Sequence, residues 1–240
     1  MNSDKKNLVI FDFDQTITNY DSLFEQLPLL HNEEEEKKII QMDAVGNFVD
    51  SFNYFYTLAK KLKISLDQIN EAFTKIQVTP GISELFQFFR ENKKNYEVII
   101  ISSNFLYAIE KILEANKIRD VVTSIFCNPN KIDDEGGIVV LQKETHNCSL
   151  CNPCQCKSNE LKKFFSEKNK ENYKRICFVA DGGNDLCLTE FIGENDISFP
   201  RKGYTLYKKV NDPANKDKIK CKIVPWTNAN EIKNYLFGLN

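Results

Sequence analysis

The stretch that most restricts how this chain can fold is Leu8-Val-Ile-Phe-Asp12-Phe-Asp14-Gln-Thr16. Leu8 to Phe11 are uniformly apolar and stop at an acid, which reads as a short strand buried on both faces. Strands of that kind belong to parallel sheets covered by helices, and such sheets bind ligands beyond the C-terminal ends of their strands. Asp12 and Asp14 stand at that end. Carboxylates are costly to bury without partners, but they suit phosphoryl chemistry. One attacks phosphorus, the second handles the leaving group's proton, and a divalent cation offsets the crowded negative charge. The plainer reading of Asp-x-Asp is a solvated turn or helix cap.

The rest of the chain alternates in the same way. After Thr16, residues from about Asp21 to Phe73 carry apolar positions at helical spacing, such as Phe48, Phe52, Phe55 and Leu62. Asp21-Ser22 are placed to cap the first helix, and Glu33–Glu36 to form a solvated helix start. A helical insert so soon after the first strand suggests a cap over residues 19–78, hinged near Ile17–Tyr20 and Val78–Gly81. The core would then comprise 1–18 and 79–240. A helix over Ile82–Arg90 leads to a strand at Glu97–Ile101, then Ser102-Ser103-Asn104, then a helix from Phe105 to Ala115. Strands follow at Thr123–Cys127, Arg175–Ala180, Ile197–Phe199 and Cys221–Val224. Ile138–Leu141 reads as half of a small hairpin, Ser158 as the cap of a helix to Lys168, and Asn228–Leu236 as the last helix. The expected fold class is α/β, a Rossmann-like three-layer core with a mostly parallel sheet and a small helical cap.

Composition narrows the function. With 240 residues, 28% charged and a net charge of −2, nothing advertises nucleic acid or an anionic membrane. The first residues include an acid and the apolar run halts at Asp12, so no signal peptide is expected. Val98–Ile101 is far too short to span a bilayer. A soluble cytoplasmic protein is expected. Eight cysteines occur, four of them within nine residues. In His146-x-Cys148-x-x-Cys151-x-x-Cys154-x-Cys156, soft ligands stand at zinc-like spacing: a Cys₃His site, or Cys₄ using Cys154. Buried reduced thiols or one labile disulfide are the alternatives.

Asp181-Gly-Gly-Asn-Asp185 again places acids directly after an apolar strand, where Asp181 and Asp185 offer oxygen ligands to Mg²⁺. Ser102 supplies a hydroxyl at another strand end, and Lys157 a positive charge just ahead of a helix. Separately, Ser102 and Lys157 are an ordinary strand-end serine and surface lysine.

In this order the segments resemble the haloacid dehalogenase superfamily of phosphohydrolases. Closest is its subgroup of phosphoethanolamine/phosphocholine and pyridoxal-phosphate phosphatases. The likeness spans Phe11–Ile17, Thr79-Pro-Gly81, Ile99–Ser102, His146–Lys157, Asp181–Asp185 and Pro200–Thr205. It implies Asp12 as nucleophile, Asp14 as general acid/base, and Ser102 and Lys157 as phosphate clamps. Mg²⁺ would be held by Asp12, the Asp14 carbonyl and Asp181, with Asp185 orienting the metal shell or Lys157. Ala180 replaces the family's usual glycine. Two acids that read the substrate in the subgroup are Leu23 and Ser103 here, and Asp21 lies close enough to substitute for them. The expected activity is Mg²⁺-dependent hydrolysis of a small phosphomonoester through an aspartyl phosphate, with pyridoxal 5′-phosphate as leading substrate. Alternatives are phosphoethanolamine or phosphocholine, transfer to another acceptor, or a non-catalytic module binding a phosphorylated ligand.

Overall fold

The computed structural model describes residues 5–143, 146–151 and 155–239. Its elements in chain order begin with β1 (Lys6–Phe11), α1 (Glu33–Ala44), α2 (Phe48–Lys61), α3 (Leu66–Lys75) and α4 (Ile82–Glu91). Next come β2 (Tyr96–Phe105), α5 (Leu106–Ala115), β3 (Val122–Asn128), β4 (Asn130–Ile132) and β5 (Ile138–Val140). The chain continues with α6 (Lys157–Glu167), β6 (Tyr173–Ala180), α7 (Leu186–Phe191) and β7 (Ile197–Pro200). It closes with α8 (Thr205–Val210), β8 (Lys222–Ile223) and α9 (Ala229–Phe237). No helix among the described residues is long and apolar enough to cross a membrane.

One parallel sheet carries the fold, in the order β3-β2-β1-β6-β7-β8. The chain leaves the central β1 first for β2 and β3 on one side, then for β6, β7 and β8 on the other. That reversal opens a crevice beyond the C-terminal end of β1. Successive side chains point to opposite faces. Val9, Phe11, Val98, Ile100 and Val179 join the helices α4, α5 and α9 in one apolar layer. Leu8, Ile10, Ile99, Ile101 and Phe178 join α6, α7 and α8 in the other. The expected three-layer α/β core is therefore the observed one, and continuous apolar runs were required because both faces are covered.

Between β1 and α4 the chain forms a 3₁₀ turn at Phe24–Leu30 and then α1 to α3. Asn32 caps α1 by accepting from Glu34 N and Glu35 N, which places the acidic run at the positive end of the helix dipole. The two crossings into this segment lie side by side. Thr18 bridges Val78, Asn19 N donates to Gln77 O at 2.9 Å, and Thr79 N donates to Ile17 O at 2.8 Å. The β4–β5 hairpin grips α2 from the opposite side, where the Asn53 amide exchanges hydrogen bonds of 2.9 and 2.8 Å with Val140.

Two local expectations change. Strand β2 does not end at Ile101 but continues to Phe105, which precedes α5 instead of starting it. The backbone irregularity at 102–104 is stabilised internally, with Asn104 N donating to Ser102 Oγ and Phe105 N to Asn104 Oδ1. Ser158 does not cap α6, which starts one residue earlier; its hydroxyl lies 3.2 Å from Cys156 Sγ instead.

Gly81 opens α4 at φ +88°, and a Cβ there would come within 2.6 Å of Asn230 N of α9. Gly81→Ala should therefore cost about 2 kcal/mol, from left-handed backbone strain plus the collision. A thermal melt should show Tm falling by roughly 4–8 °C for a chain of this size.

Candidate active site

Register brings the ends of three strands together. Phe11 pairs with Ile100 of β2 and with Val179 of β6, so Asp12, Ser102 and Asp181 reach one edge of the sheet. Asp12 N donates to Val179 O at 2.9 Å, holding the first acid in line as β1 ends. Lys157, the first residue of α6, is 1% exposed. Its ammonium lies 2.6 Å from Asp12 Oδ1 and 2.5 Å from Asp185 Oδ1. Asp185 Oδ2 accepts from Gly182 N at 2.7 Å, a turn tight enough that a Cβ on Gly182 would sit 2.7 Å from Asn184 Oδ1. Thr16 Oγ1 donates to Asp181 Oδ1 at 3.0 Å and ties the first motif to the last.

Asp12, Asp181 and Asp185 each bring a carboxylate oxygen within 4.8 Å of the others. The Asp14 carboxylate is turned aside, accepting from Ser22 N and from Asn104 Nδ2, both at 2.8 Å. Charge in this cluster is out of balance. Burial holds the Asp181 carboxyl well above its ordinary range, reinforced by Asp12 and Asp185 and opposed by Thr16 and Lys157. Burial and Asp12 push Asp185 up to about 7 against the pull of Lys157. Burial alone would lower the Lys157 ammonium, but Asp12 and Asp185 outweigh it and hold it above its usual value. Asp14 is raised chiefly by burial, against its hydrogen bonds from Ser22 and Asn104. Several buried carboxylates around one ammonium suit a hard divalent cation with oxygen ligands.

The site opens into a cleft of about 350 Å³. Asp12, Asp14 and Asp181 form its floor; Asp21, Asp43, Phe48 and Phe52 from the helical segment face them, and Ser103, Asn104, Leu150 and Lys209 also line it. Asp21 accepts from Leu23 N at 2.9 Å just ahead of the 3₁₀ turn, and it lines the cleft. Ser103 lines the cleft too. Leu23 is fully buried in the apolar core and is not among the lining residues. Ser102 is 1% exposed, its hydroxyl accepting from Asn104 N at 3.1 Å.

Several residues here carried no readable signal. Asn104 and Ser22 hold Asp14, yet neither belongs to a motif with a mechanism of its own. Asp43 sits on α1, remote in sequence. Arg201 stood in a recognised segment without a role. Its guanidinium donates to Gln15 O and, at 2.9 Å, to Asn19 Oδ1, and it stacks on Tyr204 and Trp226. Gln15 has a φ of +56°, uncommon for a side chain of this kind, and Arg201 with Thr18 Oγ1 braces that turn.

Of the five expected zinc ligands, Cys148, Cys151 and Cys156 come together, and the fourth member of the group is Cys187 of α7. His146 is not in that group; its Nδ1 accepts from Cys148 N at 3.2 Å. Cys154 lies outside the described residues.

A switch-point strand ending in paired aspartates, answered by a lysine and two further acids from the neighbouring turns, defines a phosphatase of the haloacid dehalogenase superfamily. Over residues 7–240 the chain matches the family described as "Putative Phosphatase", and it belongs to that family. It is 33% identical to the pyridoxal phosphate phosphatase PHOSPHO2 of Bos taurus, covering 96% of this chain and 97% of that one. It is 28% identical to a phosphoethanolamine/phosphocholine phosphatase of Gallus gallus, over 96% and 88% of the two chains. Among solved structures, a substrate-bound phosphoserine phosphatase shares the fold with a TM-score of 0.62 at 23% identity, covering 96% and 98%.

Asp43 offers an electrostatic test. Burial, then the charge of Asp14, raise its carboxyl from 3.8 to about 7, against a hydrogen bond from Ser51. A carboxyl raised by folding favours the folded state at low pH and loses that contribution as pH climbs through about 7. In chelator, Asp43→Asn should stabilise the protein by about 1–2 kcal/mol at about pH 8, after allowance for partial exposure. The gain in Tm should shrink as pH falls and vanish at about pH 4.

Proposed function

We propose that the chain hydrolyses a small phosphomonoester by transferring its phosphoryl group to Asp12. The observation that carries this reading is the Lys157 ammonium held between Asp12 and Asp185 at 2.6 and 2.5 Å, beside the exit of the one strand from which the sheet runs both ways. Lys157 offsets charge on the nucleophile and on the incoming phosphate, and Ser102 with the neighbouring main-chain N–H groups clamps the phosphate oxygens. An oxygen of Asp12 attacks phosphorus and the ester P–O bond breaks. Asp14, oriented by Ser22 and Asn104, gives its proton to the leaving oxygen. In the second half-reaction Asp14 takes a proton from water as that water attacks the aspartyl phosphate, releasing inorganic phosphate and restoring both acids. Mg²⁺, typical of haloacid dehalogenase phosphatases, would be held by Asp12, Asp181 and the Asp14 carbonyl, with Asp185 bracing Lys157. Once bound, it neutralises charge on the phosphate and on the acids around it.

The helical segment 19–78 serves in this reading as a cap that closes the cleft and selects the substrate. Pyridoxal 5′-phosphate leads as substrate, supported by the likeness to the bovine pyridoxal phosphate phosphatase and by Phe48 and Phe52 facing the floor acids. A phosphorylated amine, phosphoethanolamine or phosphocholine, is the second reading. Asp21 and Asp43 favour it, since their carboxyls are raised by burial and by neighbouring acids and a cationic group would relieve that crowding. The cysteines described are unpaired in disulfides, which supports a cytoplasmic setting.

Purified protein with Mg²⁺ should release phosphate from p-nitrophenyl phosphate and stop in excess chelator. Asp12→Asn should lower kcat by about 10³-fold or more, since no other group can form the covalent intermediate. Failure to hydrolyse any member of a panel of small phosphomonoesters sinks the reading. Across that panel, kcat/KM decides between the substrates. If a phosphoamine is preferred, Asp21→Asn should raise its KM by roughly 10-fold, about 1.4 kcal/mol of lost charge pairing. Added acceptor alcohols separate hydrolysis from transfer by comparing product with free phosphate.

A further inference from the structure

The loop between β5 and α6 is long, and of its described residues Cys148, Leu150, Cys151 and Cys156 meet the apolar layer of α6, α7 and α8. Its described residues form neither helix nor strand, and loops of that length inside a compact domain need something to hold them. Yet this loop ends on two functional positions: Leu150 lines the cleft and Lys157 follows Cys156 directly. What also converges there is sulfur. The Sγ atoms of Cys148, Cys151, Cys156 and Cys187 all lie within 4.8 Å of one another. A zinc ion with four thiolates at about 2.3 Å spaces its sulfurs about 3.8 Å apart along each edge of the tetrahedron. Cys151 and Cys187 approach to 2.9 Å, longer than the bond of about 2.05 Å in a disulfide and shorter than that edge, so this pair parts by about 0.9 Å when the ion enters. Three of the thiols come from the loop with the tight spacing of a metal knuckle, and the fourth arrives from α7. This is a closed four-ligand set with no open position, which distinguishes a structural from a catalytic zinc site.

We infer that Cys148, Cys151, Cys156 and Cys187 bind one structural zinc ion that fastens the loop to α7. The ion lies apart from the carboxylate cluster, and the inference does not depend on the phosphatase reading. Two of its ligands adjoin the active site in sequence, since Cys156 precedes Lys157 and Cys187 follows Asp185 by two residues. Zinc therefore sets the spacing between the two elements that carry the Lys157–Asp185 ion pair.

The test begins with the full-length protein, expressed without a metal-affinity tag and dialysed. Elemental analysis should find about one zinc per chain, falling below about a third in Cys148→Ser and in Cys187→Ser. It should stay in Cys177→Ala, which removes a buried thiol of β6 outside the group. Zinc retained in the Cys187→Ser protein overturns the site. Should that variant fail to fold, Co²⁺ added to metal-stripped wild type decides. Strong thiolate-to-cobalt charge-transfer absorption supports the four-sulfur site, and a spectrum without it refutes it. Absence of zinc in wild type also refutes it, whether the thiols then react freely in the native protein or the mass is lower by two hydrogens, as a disulfide requires. Because phosphate release with Mg²⁺ is measured separately, a zinc-free but active protein would sink this inference alone.

Discussion

Four carboxylates gather at one edge of the sheet around the buried ammonium of Lys157, and the architecture around them keeps that arrangement from flying apart. Asp12, Asp181 and Asp185 are brought within reach of one another as parallel register aligns the strand ends, while the Asp14 carboxylate is turned toward Ser22 and Asn104. Lys157 answers two of them directly. The others are held by neutral donors: Thr16 on Asp181, Ser22 and Asn104 on Asp14. Such donors fix direction without cancelling charge. The remaining imbalance is of the kind that a divalent cation and a phosphate would offset.

The segment facing this edge is tied down at more than its entry and exit. Main-chain bonds join the two crossings at Thr18 and Val78, and the β4–β5 hairpin holds α2 through Asn53. Tyr107 of α5 donates to Asn70 of α3 at 2.8 Å. Arg201, just past the end of β7, adds a brace that reaches the unusual backbone at Gln15 and the Asn19 side chain. The two crossings are thus bonded to each other through the main chain, and the segment is held on its hairpin side as well. Asp21 and Asp43 from the helical segment line the same cleft as Asp12 and Asp14, so their like charges repel unless a positive group intervenes.

The cysteine segment ends on two positions at the cleft and its surroundings, Leu150 and Lys157. Cys148, Leu150, Cys151 and Cys156 pack against the apolar layer of α6, α7 and α8. Thiols gathered with Cys187 of α7 offer a further local anchor. The contribution from α7 ties that anchor to the same turn that carries Asp181 and Asp185.

The α/β core was legible in the sequence because each strand buried on both faces must be apolar throughout, and the acids that interrupt those runs mark the strand ends. Asp12, Asp14, Asp181 and Asp185 were legible as acids that follow apolar strands, whereas Lys157, at the start of α6, stood out only through the resemblance to the superfamily. Local pattern also found α4, α5, α6 and α9 and the helical character of the stretch after Thr16, but placed no helix at α8. It ended β2 too early, because Ser102 to Asn104 look like a turn and only the pairing with β3 shows the strand resuming at Phe105. It offered Leu23 for the substrate side, where packing buries that residue in the core. Asn104, Ser22, Asp43, Arg201 and Cys187 became meaningful only in three dimensions. Each acts on a partner far away in the chain, and neither periodicity nor spacing records which distant side chains a sheet will bring face to face.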